Sequence, residues 1–141
     1  MNAKYFLRQV RGIDRRIARD EEQIERLRAK LESGRMMALT GMPRGGFADW
    51  TETADRMIEL EQRLNMRIRE MCRLKLMAVD AIDAIEDARL REVLDCYYVK
   101  GYTWEQVAEA MGYRDVRWIY RLHGKALKKI CDPSQRGLDS I

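Results

Sequence analysis

The side chains able to do covalent or metal chemistry are sparse in this chain: one histidine, His123, and three cysteines, Cys72, Cys96 and Cys131. Nucleophilic catalysis needs a nucleophile within reach of a base, and a single histidine beside Leu122 on a helical stretch has no serine or cysteine constellation to serve. His123 reads instead as a capped or core-edge side chain. The cysteines are odd in number, far apart and outside any CxxC pairing, which suggests neither a disulfide framework nor a zinc site, so they read as reduced core thiols. Gly41, Gly45 and Gly46 precede no Lys-Ser/Thr pair, which argues against a phosphate-binding loop. No catalytic residue, cofactor or metal site is expected, and the chain reads as a non-enzyme.

Charge is where the sequence speaks. Its overall surplus is +4 with a pI near 9.1, which permits contact with a polyanion without requiring it. Between Arg114 and Ile130, however, Arg114, Arg117, Arg121, Lys125, Lys128 and Lys129 face the single acid Asp115, so this one segment is more positive than the whole chain. Within it Ile119, Leu122, Ala126, Leu127 and Ile130 recur at helical spacing, and Arg117, Arg121, Lys125 and Lys128 fall on the opposite side. A helix apolar within and basic without is suited to a major groove, with Arg117 and Arg121 nearest base edges and Lys125 and Lys128 nearer phosphates. Trp118 and Tyr120 can stack on the DNA backbone or hydrogen-bond to it, or else close the edge of a small core.

Such a helix must be held. Ahead of it, Thr103 with Gln106 three residues on forms a capping-box pattern, Val107, Ala108 and Met111 make a buried face, and Gly112 can take the positive φ that turns the chain. Ala108 suits a close, steep helix crossing. Before that, Ala88 to Val99 offers Leu90, Val93, Leu94 and Tyr97 as one apolar face, with Asp87 as a cap and Gly101 as a stop. Residues 87–131 therefore read as three helices in a helix-turn-helix unit, followed by a short polar tail, 132–141.

Residues 1–86 differ in rhythm. Ala3, Val10, Ile17, Ile24 and Leu31 recur at sevens with Phe6, Ile13 and Leu27 three residues later, and Asp20 is the polar exception in this seam. Ser33 and Gly34 are expected to end this helix. Gly41, Pro43, Gly45 and Gly46 make the stretch from Met36 to Asp49 a loop. A second helix from Trp50 or Thr51 carries Met57, Leu64, Met71, Ala78 and Ile85 at sevens, with Leu60, Ile68, Leu74 and Ile82 on the same face. The methionines Met57, Met66, Met71 and Met77 read as adaptable packing. The seams can close on each other as a coiled-coil-like antiparallel hairpin or on a second copy as a homodimer, and periodicity does not choose. The fold class is all-α. Acidic residues alternate with basic ones along these helices as surface ion pairs, no apolar run reaches membrane length or forms a secretory leader, and the protein is expected in the cytoplasm.

From Leu90 to Ile130, LREVLDCYYVKGYTWEQVAEAMGYRDVRWIYRLHGKALKKI resembles the sigma-70 region 4 helix-turn-helix, with its leading helix, G-x-T-x-x-E-[IV]-A-x-x-[LM]-G turn and basic helix ending in A-L-x-x-[LI]. The run Tyr120 to Leu127, the heptads and the GMPRGG loop together are similar to a family of small phage- and prophage-encoded proteins, akin to RinA- and ArpU-type regulators of late phage genes. The resemblance implies sequence-specific binding of double-stranded DNA and transcription regulation, with contacts from Thr103, Trp104, Arg114, Arg117, Trp118, Tyr120, Arg121, Lys125 and Lys128. Two departures stand out: Glu105 and Gln106 shift the acidic position by one, and one residue more lies between Gly112 and Ile119 than in sigma factors. No region 2 is visible. Two other functions fit the same residues: an adaptor docking on host RNA polymerase or another phage protein, and a DNA-recognition subunit of a phage packaging enzyme.

Overall fold

The computed structural model describes residues 3–39 and 46–130, and only the backbone of residues 38 and 46–49. Residues 40–45, which hold most of the glycine-proline motif, Cys131 and the tail 132–141 lie outside the described residues. The fold is all-α: helices α1 (Ala3–Val10), α2 (Ile13–Leu39), α3 (Gly46–Asp83), α4 (Ala88–Leu94), α5 (Trp104–Met111) and α6 (Val116–Lys129), with α4 continued by a π-helical turn over Asp95–Val99. No helix among the described residues is long and apolar enough to cross a membrane.

Packing divides the chain into two compact units that cut across the boundary expected near residue 86. One is Asp14–Glu70; the other joins the segment ending at Ile13 to the segment beginning at Met71. The opening helix and the last turns of α3 thus belong with the helix-turn-helix rather than with the arm.

In the first unit α2 and α3 form an antiparallel hairpin. Ile24 and Leu27 meet Leu64, with Met57 and Ile68 packed against them. Arg28 pairs with Glu61 at 2.7 Å and Asp20 with Arg67 at 2.6 Å, so contacts rise along one helix as they fall along the other. Part of the seam is therefore buried within one chain. Asp20, the exception in the heptads, is completely shielded, and Arg67 donates to both its carboxylate oxygens, at 2.7 and 2.6 Å. This pairing, aided by Arg19, holds its carboxyl below the ordinary carboxylate range.

Several local expectations are corrected. The heptads run through Gly12, yet the helix breaks there: α1 ends at Val10, Gly12 has φ 78°, and α2 begins at Ile13. Periodicity survived because the turn returns Ile13 to the inner face, where it is buried. At Ser33–Gly34 the opposite holds, and α2 runs on to Leu39. Gly34 serves packing instead, since a Cβ there would collide with the indole of Trp50. α3 starts at Gly46, so residues 36–39 and 46–49 of the stretch expected as a loop are helical, and the rest of it lies outside the described residues. Leu60 and Met66 are exposed rather than in the seam, and Cys72 is exposed, leaving Cys96 as a buried thiol.

The other unit is built around residues that local rules position well. Asp87 accepts from the Arg89 amide at 2.9 Å to start α4. Arg91 then reaches back to the carbonyls of Ile85 and Glu86, at 2.6 and 2.9 Å, in the connection between α3 and α4. Leu90, Val93 and Leu94 are buried as expected. The wide π turn inserts an extra residue, so Tyr98 and Cys96 are driven fully inward and Tyr97 is left half-buried.

Candidate nucleic-acid interface

The turn before α6 is fixed by three caps. Thr103 starts α5 with its hydroxyl accepting from the Gln106 amide (3.2 Å) while the Gln106 side chain accepts from the Thr103 amide (2.9 Å). Gly112 ends α5 at φ 79°, and the Tyr113 amide returns to the Ala108 carbonyl at 2.8 Å. Asp115 starts α6 by accepting from the Arg117 amide at 2.9 Å. Asp115 also takes the Arg117 guanidinium at 2.7 Å, and these contacts hold its carboxyl below the ordinary range.

Caps alone do not orient a helix; its apolar side does. Ile119 and Ala126 are fully buried and Leu122 nearly so, and α6 packs on both α4 and α5. Ala108 is buried where α5 approaches. The basic residues lie on the exposed part of the remaining circumference. Arg117, Arg121, Lys125 and Lys128 are all exposed, and Arg114 is exposed in the turn before them. At about 100° per residue, Arg117, Arg121 and Lys128 fall within an arc of roughly 40° on the side away from Ile119 and Ala126. Trp118, 54% exposed, and Tyr120, 47% exposed, flank this stripe on its two sides. The Arg121 guanidinium lies 5.1 Å from the centre of the Trp118 ring, close enough for cation–π attraction.

Trp104 is placed differently from the other candidates. Its indole stacks on Tyr97 at 3.7 Å between ring centres and 10° between planes, and meets Tyr120 and His123 edge-on. It is an internal packing residue of the unit, with little face left for a base. Thr103 is exposed, but its hydroxyl is engaged in the cap. The structure thus brings Arg114, Arg117, Trp118, Tyr120, Arg121, Lys125 and Lys128 to one surface and sets Trp104 behind it.

Two residues that sequence reasoning did not select support this surface. Arg11, just after α1, has its guanidinium 3.8 Å from the centre of the Tyr97 ring. It donates to the carbonyl of Tyr97 and, at 2.9 Å, to that of Tyr102. Because Trp104 already stacks on Tyr97, the two must cover opposite faces of that ring. A cation on the carbonyls at a helix C-terminus is also favoured by the helix dipole. The one available signal was Gly12 interrupting the heptads, and it pointed to a turn without saying what Arg11 would reach. Tyr98 is the other, its hydroxyl 2.7 Å from Nε2 of His123. Burial pushes the Tyr98 phenol up to about 12 and, with the charge of Lys4, His123 down to about 4. Both are therefore neutral at pH 7 and act as packing and hydrogen-bonding groups.

Among the described residues no group of three or more His, Cys, Asp or Glu is placed to hold a metal ion. Comparison with protein-family models, with curated proteins and with solved structures found no match for this chain.

Proposed function

We propose that the protein binds double-stranded DNA sequence-specifically, with α6 as the recognition helix, and regulates transcription. The observation that carries this reading is the exposed row Arg117, Arg121, Lys125 and Lys128 opposite the buried Ile119, Leu122 and Ala126. Two of these cations are already oriented, Arg117 by Asp115 and Arg121 by Trp118, which lowers the entropy lost when they engage a partner. Arg117 and Arg121 are the candidates for base edges, where a bidentate arginine on guanine carries most information. Lys125 and Lys128, with Arg114, Tyr120 and the Trp118 edge, suit the phosphates.

The resemblance to regulators of late phage genes supports a phage or prophage setting, action in the cytoplasm and host RNA polymerase as a second partner. A homodimer through the heptad helices would set the spacing of the recognition helices on a two-fold site.

Anisotropy of labelled duplexes over a salt series tests the reading. Arg117→Ala and Arg121→Ala should each cost about 1–3 kcal/mol and relax base preference, whereas Lys125→Ala and Lys128→Ala should weaken all sequences alike and lower the salt slope by about 0.9 each. If no duplex binds above the non-specific level even at low salt, α6 is a protein-docking face, and a polymerase pull-down tests that directly. Binding confined to a packaging site, with ring assembly, would instead indicate a packaging subunit.

A further inference from the structure

The two flanks of the basic row on α6 differ in charge. By the helical period of about 100° per residue, Trp118 and Lys125 lie on one side of Arg117, Arg121 and Lys128, while Tyr120, Leu127 and His123 lie on the other. His123 is neutral at pH 7, so the Tyr120 flank brings no cation of its own. An α-helix about 10–12 Å across fills a major groove about 12 Å wide, which sets a wall of phosphates against each flank. On the Tyr120 side those phosphates would meet cations only from another element.

The first helix is placed to supply them. α1 belongs to the same compact unit as α6, and its sequence, AKYFLRQV, contains no acid. Phe6, Leu7 and Val10 are buried, and the Arg11 amide still bonds the Leu7 carbonyl at 3.1 Å, so the helical register holds to Arg11. In that register Lys4, Arg8 and Arg11 share an arc of roughly 60°. Arg11 fixes where the arc faces, because its guanidinium lies over the Tyr97 ring and bonds the carbonyls of Tyr97 and Tyr102. Lys4 and Arg8 are exposed beside it. The charge of Lys4 acts on His123 and that of Arg8 on Tyr98, and the Tyr98 hydroxyl is 2.7 Å from Nε2 of His123. Since His123 lies one turn from Tyr120 and Leu127, Lys4 stands along the flank of α6 that lacks a cation.

Resting on the duplex-DNA reading above, we infer that Lys4 and Arg8 of α1 hold backbone phosphates on the Tyr120 side of α6, which makes the first helix part of the DNA interface. Contacts of this kind set the register and orientation of a recognition helix without reading sequence. A phosphate accepts an ammonium as a point charge or a guanidinium as a fork, so charge rather than residue type is what these two positions supply.

The test uses the full chain and a duplex selected by the wild-type protein from a random pool. Affinity, salt slope and melting temperature are compared for wild type, Lys4→Gln, Arg8→Gln, the double variant and Lys4→Arg. Lys30→Gln serves as a control, an exposed cation of the other compact unit. Each glutamine should lower the salt slope by about 0.9, and the two together should weaken binding about tenfold with base preference unchanged. Lys4→Arg and Lys30→Gln should bind as wild type does, and every melting temperature should stay within about 2 °C. A double variant that binds as tightly as wild type overturns the inference. So does an unchanged slope with a melting temperature lowered by more than about 5 °C, which would make the two residues packing elements. An equal loss in Lys30→Gln also overturns it, because net charge alone would then be the cause. A wild type that selects no duplex overturns the duplex reading and this inference with it.

Discussion

Removing Arg67 should destabilise the α2–α3 hairpin far more than removing the acid it holds. Asp20 is fully shielded, and without Arg67 its nearest cation is Arg19, 3.7 Å away. Stranding a buried carboxylate costs about 3–5 kcal/mol when water cannot reach it. Arg67 is itself 54% exposed, so its removal opens a path for solvent, and about 2–3 kcal/mol is the expected cost of Arg67→Ala. Asp20→Leu behaves oppositely. The freed guanidinium returns to water, and an apolar side chain completes the heptad seam with up to about 2 kcal/mol of burial. Asp20→Leu/Arg67→Ala should therefore lie near Asp20→Leu and far from Arg67→Ala.

Hydrogen exchange over residues 14–70 reads this locally. At pH 7 Arg67→Ala should speed opening of these amides by about 30- to 150-fold, the equivalent of those 2–3 kcal/mol. The pH dependence has a definite sign. Asp20's depressed carboxyl contributes stability that is present above its unfolded pKa near 3.8 and lost as pH falls through the lower folded value. Arg67→Ala reverses that dependence, because burial without a partner raises the stranded carboxyl and the variant gains stability as the acid is protonated, so the gap between the two proteins should narrow towards pH 4. An Arg67→Ala protein within about 0.5 kcal/mol of wild type, or an Asp20→Leu protein more than about 1 kcal/mol below it, would refute the reasoning. The pair has a further consequence for register: a slip of one heptad would set Asp20 opposite Leu60 or Leu74, an unpaired charge against an apolar side chain.

Three further outcomes follow from the other unit and from Gly34. Wild type should lose stability as pH falls from about 6.5 to about 4, because the unfolded His123 takes up a proton that the folded one resists; the full difference is worth about 3 kcal/mol and roughly half that once solvent access to the ring is allowed for. Lys4 and Tyr98 are the groups facing it, and urea titrations at pH 7 and 5 should show the loss in wild type but not in His123→Gln. Arg11→Ala should lower stability by about 1.5–3 kcal/mol in thermal denaturation, and Arg11→Lys should recover less than half of it, since a lysine lacks the planar fork that stacks on Tyr97 while bonding two carbonyls; full recovery would leave charge as the only contribution. Gly34→Ala, a change that favours an ordinary helix by about 1 kcal/mol, should be destabilising here and revert to its usual sign in a Trp50→Ala background, and a stabilising single change would show that the indole moves aside without cost.

What the sequence disclosed and what it concealed divide along physical lines. Signals that act within one turn of chain were readable: Asp87, Thr103 with Gln106, and Gly112 each sit at the helix boundary their chemistry demands, and the helical period separated Ile119, Leu122 and Ala126 from the basic row. Glycine misled because one residue type answers two needs. At Gly12 it permits a positive φ inside an unbroken heptad pattern, while at Gly34 it permits an indole to approach an unbroken helix. Only the tertiary partner distinguishes them. The π turn was equally illegible, since a single extra residue in a helical turn leaves no compositional mark, yet it decides that Tyr98 rather than Tyr97 enters the core beside His123.

The same distinction explains why the basic surface was easier to find than its support. Arg117, Arg121, Lys125 and Lys128 share one helix, so their alignment follows from local geometry. Their orientation depends on how α4 and α5 are held, and part of that comes from the start of the chain. Phe6, Leu7 and Val10 are buried in the same unit as α6, and Arg11 bonds the carbonyls of Tyr97 and Tyr102 and covers the face of Tyr97 opposite Trp104. Trp104 in turn meets Tyr120 and His123 on α6. A row of contacts thus runs from Arg11 through Tyr97 and Trp104 to the helix that carries the stripe. Residues 87–131 read as a self-contained helix-turn-helix because the pattern is local, but the unit that positions α6 is assembled from segments almost the whole chain apart.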